Sequence, residues 1–98
     1  MTITKEQNGS SMTIALEGRL DTMTAPELEA EIKAALDSVT DLTLDFSKLE
    51  YISSAGLRVL LSAHKALQEK GSMKVAHPNE IVREVFEVTG FDTILNID

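Results

Sequence analysis

DFSKLEYISSAGLRVLL, Asp45 to Leu61, decides how this chain is organised. It leaves one kind of periodicity and enters another. Upstream, Leu42, Leu44 and Phe46 alternate with Thr43, Asp45 and Ser47, the period of a half-buried strand. Downstream, Leu57, Leu60, Leu61, His64 and Leu67 recur at helical spacing. A strand is therefore expected over Leu42–Phe46, with Ser47–Ile52 as a connection to a helix that starts at Ser53 or Ser54. Either serine oxygen can accept a hydrogen bond from a first-turn amide, a cap that contributes about 1 kcal/mol. Capping explains one serine and leaves the other over. Gly56 costs a helix interior roughly 1 kcal/mol relative to alanine, so its presence asks for a reason. Ala55 and Gly56 are expected to leave the surface around the serines bare, which suits a backbone that another molecule approaches. Residue physics leaves a structural cap and a contacted site equally open.

The remaining elements follow outward from that junction. Thr2–Gln7 carries β-type residues and reads as an edge strand. Asn8-Gly9-Ser10-Ser11 is turn chemistry, and Met12, Ile14 and Leu16 then alternate with Thr13, Ala15 and Glu17. The two runs are expected to pair as an antiparallel hairpin. Thr24-Ala25-Pro26-Glu27 reads as a helix start, with Thr24 as N-cap and Glu27 completing a capping box. Leu28, Ile32, Ala35 and Leu36 form its inward face. The helix after the serines is expected to end at Lys70-Gly71, with Gly71 as a left-handed cap. Met73–Ala76 is a short strand. Pro78 opens a third helix with Ile81, Val82, Val85 and Phe86 inward, Gly90 closes it, and Asp92–Ile97 is a last short strand or an extended tail. Met12, Met23 and Met73 are assigned to the core or its rim.

The order is β-β-α-β-α-β-α-β. Strand-helix-strand units favour right-handed parallel crossovers, and the opening hairpin makes the sheet mixed. Strands that alternate rather than run wholly apolar place the helices mainly on one sheet face. The expected fold is a two-layer α/β domain, with residues 1–98 as a single unit.

Composition narrows the function classes. The 26% of charged residues beside 43% hydrophobic ones is the balance of an ordinary globular domain. No apolar run is long enough to span a bilayer, and the N-terminus lacks the features of a signal peptide, so no direct membrane insertion is expected. The absence of cysteine excludes thiol chemistry and fits a cytoplasmic setting. A net charge of -7 argues against nucleic acid and permits a basic protein partner, while also serving solubility.

Three chemistries are open to the serines. A hydrolase nucleophile wants the G-x-S-x-G elbow and a nearby base. Here Ile52 stands in the leading position and His64 lies nearly three turns along the same helix, which leaves His77, at another strand end, as the one base that spacing does not exclude. His77 and Glu80 lack the pairing of a zinc site, and no glycine-rich phosphate cradle follows a strand. The chain is accordingly read as no enzyme, with no metal and no cofactor. Phosphorylation remains. A helix N-terminus favours negative charge, so a dianion is tolerated there.

Three stretches, GRLDTMTAPELE, LDFSKLEYISSAGLRVLL and VREVFEVTGFDTIL, stand in an order that resembles the STAS domain, and within it the small bacterial anti-sigma factor antagonists. The likeness runs over nearly the whole chain. It implies a STAS-like fold and a partner switch. In such a switch the unphosphorylated antagonist binds an anti-sigma factor that is also a serine kinase, and the sigma factor is released. Phosphorylation of the antagonist weakens the complex, and a metal-dependent serine phosphatase reverses it. Aligned on Gly56, the family's acceptor falls on Ser54, its preceding aspartate on Ser53 and its second hydroxyl on Ala55. Ser53 is thereby left as a competing acceptor. The resemblance places Asp21 and Asp45 near the phosphorylation surface; each can instead serve only as a local Asx-type turn, a structural role favoured for Asp45 and balanced for Asp21. Asp21, Asp45, Ser53, Ser54, Ala55, Gly56, Leu57 and Arg58 make up the expected partner-binding set. The alternative is a STAS docking subunit of a lipid-transport or other membrane-associated assembly, without a phospho-switch.

Overall fold

Alternation in the strands becomes a sheet with one dry face and one wet face. In the computed structural model, which describes residues 1–98, the elements are β1 (Thr2–Asn8), β2 (Ser11–Leu20), α1 (Ala25–Ala35), β3 (Asp41–Ile52), α2 (Ser54–Gln68), β4 (Ser72–Ala76), α3 (Glu80–Thr89), a 3-10 turn (Phe91–Thr93) and β5 (Asn96–Ile97). The strands lie in the order β1-β2-β3-β4-β5. β1 is antiparallel to β2 and every later pairing is parallel. Successive parallel neighbours joined by right-handed crossovers put all three helices on the same face. This is the expected mixed two-layer α/β arrangement.

Register aligns the core. Ile14 pairs with Leu44, and Leu44 with Val75, and none of the three is accessible to solvent. Phe46 continues the row and stacks on Phe86 of α3, with ring centroids 6.5 Å apart. Thr13, Glu17 and Lys74 point out of the uncovered face. No helix is long and apolar enough to cross a membrane.

β3 does not stop at Phe46. It runs on to Ile52, through the stretch expected to be a loop. The reason is two register shifts. Ala15 opposes Asp45 but Glu17 opposes Lys48, and Gly18 opposes Leu49 but Arg19 opposes Tyr51. At each shift β3 spends one residue more than β2, as in a β-bulge. Each extra residue flips which side chains face inward. The inward set therefore passes from Leu42, Leu44 and Phe46 to Leu49 and then to Ile52.

Several local expectations are corrected. Thr24 occupies the N-cap of α1 without making a side-chain cap; its hydroxyl accepts from the Asp21 amide at 2.9 Å and donates to the Arg19 carbonyl at 2.7 Å. Gly71 is not left-handed. It is glycine because a methyl there would collide with the Thr40 carbonyl of the neighbouring connection. α3 is capped by Asn79, whose Oδ1 accepts from the Val82 amide at 2.8 Å. Ile81 lies outward at 58% exposure and Met23 at 83%, so neither is core. The last strand is only Asn96–Ile97, because Phe91–Thr93 coils into the 3-10 turn after the left-handed Gly90.

Candidate functional site

β2 and β3 end together, with Leu20 opposite Ile52. The next residue, Ser53, donates its amide to the Leu20 carbonyl at 2.9 Å. Its own carbonyl accepts from the Leu57 amide at 3.0 Å, the first bond of α2. Ser53 is thus the N-cap, in extended conformation with φ −101° and ψ 176°. Its hydroxyl, however, makes no capping bond; Oγ is buried and has no hydrogen-bond partner. The expectation that one serine caps through its side chain is corrected. Ser54 is the first helical residue and is exposed. One hydroxyl is turned in and the other out.

Gly56 is buried rather than bare. A methyl on it would come within 2.8 Å of Leu20 Cγ and 2.9 Å of Ile52 Cγ1. The glycine lets the first turn of α2 rest on the ends of β2 and β3, so it positions the serines from beneath. The reading of Gly56 as open surface is corrected. Leu57 is buried as well, at 6% exposure. Of the expected contact residues on α2, Ser54 and Arg58 face solvent and Ala55 is half-buried.

The start of α2 is electrostatically unfilled. α1 has Glu27 and α3 has Glu80 in the first turn, whereas α2 has no acid there and no side-chain cap. Its first amides lack an acceptor within the helix by geometry.

Asp21 follows Leu20 as Ser53 follows Ile52, so the two are next to each other at the sheet end. Asp21 Oδ1 accepts from the Met23 amide at 3.0 Å, the Thr24 amide at 3.1 Å and the Thr24 hydroxyl at 3.2 Å. Arg19 Nε stands 4.0 Å from its other oxygen. Desolvation alone would raise this carboxyl; the Thr24 and Met23 amides, the Thr24 hydroxyl and Arg19 outweigh it and hold the group below its ordinary value. Asp21 is an Asx-type staple that carries its charge at the same sheet end as the serines.

Asp45 is not brought to that place. It sits within β3 opposite Ala15 and accepts from the Ser47 amide at 3.0 Å. Ile52 lies seven positions further along the strand, on the order of 20 Å at the usual rise. It shares the uncovered sheet face with Glu17, Ser47 and Lys48. Its carboxylate bonds across the first bulge, and the expectation that it lies near the surface around the serines is corrected.

The residues missed by sequence reading come from the strand ends. Arg19 and Tyr51 are register partners, and the Arg19 guanidinium lies 4.6 Å from the Tyr51 ring centroid. With exposed Met23 in the following turn, they add arginine, tyrosine and methionine to the sheet end that carries the serines. These residue types are enriched in protein interfaces. Only the bulges reveal that Tyr51 belongs to a strand at all. A shallow groove between α1 and α2 is lined by Thr22, Pro26, Glu29, Ala55, Arg58 and Val59. His64 is ten residues along α2 from Ser54, roughly 15 Å by helix rise, and offers that hydroxyl no base.

Comparison with known proteins fits this geometry. The family model described as Mlab, STAS domain, matches residues 3–96. BtrV of Bordetella bronchiseptica, named as an anti-sigma factor antagonist, is 36% identical over 99% of this chain and 85% of its own length. The anti-sigma-B factor antagonist of Bacillus subtilis is 26% identical over 94% of this chain and 85% of its own. Among solved structures, an anti-sigma factor antagonist from Mycobacterium paratuberculosis superposes with a TM-score of 0.89 at 28% identity, over 98% of this chain and 83% of that one. With nearly every residue inside the family match and the fold reproduced, the chain belongs to the STAS domain family, among its anti-sigma factor antagonists.

Proposed function

We propose that this protein is an anti-sigma factor antagonist switched by phosphorylation of Ser54. Its unphosphorylated form binds an anti-sigma factor that is also a serine kinase, which frees the sigma factor. Phosphate on Ser54 weakens that complex, and a metal-dependent serine phosphatase restores the binding form. The observation that carries this reading is the difference between the two hydroxyls: Ser54 is exposed at the first helical position while Ser53 Oγ is buried. Relatives named as anti-sigma factor antagonists support the role.

Physical chemistry supports the switch. A phosphate adds close to -2 charges where the helix dipole and free amides favour negative charge. No acid already fills the first turn of α2, so the folded domain accepts the modification without internal repulsion there. At an interface centred on Ser54 the same charge must be desolvated and meets any acidic group that the partner presents there, which opposes binding.

Incubation with the cognate kinase and ATP, followed by intact-mass and peptide mass spectrometry, tests the site. One phosphate is expected on Ser54, lost in Ser54→Ala and retained in Ser53→Ala. Phosphate that persists in Ser54→Ala would overturn the assignment. Ser54→Asp is expected to weaken the complex tenfold or more by isothermal titration calorimetry. Absence of any phosphate, together with stable co-purification with a transporter ATPase, would favour a docking subunit instead.

A further inference from the structure

We propose that Arg58 takes hold of the phosphate on Ser54 within the same helix, so that modification removes a cation from the partner surface as well as adding an anion. This rests on the phosphorylation reading above. Ser54 and Arg58 are four residues apart on α2 and both are exposed. Residues at that spacing are neighbours on one helix face, with Cβ atoms about 5–6 Å apart. Helical side chains lean toward the N-terminus, so the long Arg58 side chain is directed back over the first turn. An anion placed before a cation at this spacing is also the favourable orientation.

Arg58 is free for the task. It takes part in none of the ion pairs of the structure. The one carboxylate lining the same groove, Glu29 of α1, pairs with Lys33 at 3.8 Å. A guanidinium presents two parallel donors to a phosphate, a match that lysine lacks. In the unmodified protein Arg58 therefore stands ready for an acidic group of a partner. In the phosphorylated protein it is occupied. The switch would then act twice at the same place, by repulsion and by withdrawal.

Phosphoserine installed at position 54 by genetic encoding makes the test independent of any kinase. The phosphate is titrated by 31P NMR in the otherwise wild-type protein, in Arg58→Ala and in Arg58→Lys. The second ionisation is expected about half a pH unit lower with Arg58 than with alanine, roughly threefold in acid constant, with lysine between. Thermal unfolding of the unphosphorylated Arg58→Ala protein, expected to match wild type because the side chain is exposed, verifies that the fold is kept. Coincident titration curves for wild type and Arg58→Ala would overturn the pairing. If the curves differ but the kinase leaves Ser54 unmodified, the pairing stands and the proposed switch fails.

Discussion

The Ser53 amide donates to the Leu20 carbonyl at 2.9 Å, so the serine junction is suspended from the end of β2 as well as continuing from β3. Asp21, the residue after Leu20, is fixed by its own bonds to Met23 and Thr24. The hydroxyl that faces solvent is thus set on two strand ends and a helix start.

Gly56→Ala is expected to destabilise the protein although alanine favours helix. The gain of about 1 kcal/mol in helix propensity is opposed by overpacking against Leu20 and Ile52, which costs about 1–3 kcal/mol. A fall of several degrees in Tm by differential scanning calorimetry is the expected result. An unchanged or higher Tm would show that the first turn of α2 can lift off the sheet freely.

Ser53→Ala is expected to leave stability unchanged or raise it slightly. Removing a true N-cap serine costs about 1 kcal/mol. Here Oγ is buried without a partner, and deleting an unsatisfied hydroxyl removes a desolvation penalty instead. A urea midpoint lowered by the equivalent of about 1 kcal/mol would mean that Ser53 caps α2 in solution.

Asp21 should contribute a stability that depends on pH. Its folded carboxyl is held below the unfolded value, so the contribution is complete above the unfolded value near ~3.9. It is lost as pH falls through the folded value. Asp21→Asn keeps an acceptor oxygen but cannot titrate. The stability gap between wild type and Asp21→Asn, measured by urea unfolding from pH 6 to pH 3, is expected to shrink toward the acid end. A gap that stays constant over that range would contradict the charge as its source.

Asn79→Ala should cost about 1–2 kcal/mol, because one side chain makes two structural bonds. Its Oδ1 caps α3 through the Val82 amide, and its Nδ2 donates to the Leu49 carbonyl of β3 at 3.0 Å. Asn79→Asp retains the cap and gives up the donor, so it is expected to fall between alanine and wild type by thermal unfolding. Equal stability of the aspartate and wild-type proteins would remove the tether to β3 from the account.

Much of this fold is readable in the chain because its central strands alternate cleanly. Met12, Ile14 and Leu16 announce β2, and Leu42, Leu44 and Phe46 announce the first half of β3. The second half was hidden because the bulges break the period of two at Ser47 and again at Glu50. The helix start at Ser53 and Ser54 was legible from composition, but the direction of each hydroxyl was not. Gly56 was noticed for its cost, and its cause, the crowding by Leu20 and Ile52, exists only once β2 and β3 are paired. Ile81 and Val82 are adjacent apolar residues, and packing of α3 alone decides that Val82 is buried and Ile81 is not.

The two bulges give β3 a counting function. From Asp45 to Ile52 it advances seven residues while β2, from Ala15 to Leu20, advances five. That excess sets the phase in which the chain arrives at α2. Deleting one residue between Phe46 and Ile52, with the helix still starting where it does, would put Ser54 at the N-cap and Ala55 at the outward position. The outward position would then carry an alanine, although both serines would still be in the chain. Which side chain is presented outward at the start of α2 is therefore encoded in the arithmetic of a strand, several residues before the serines themselves.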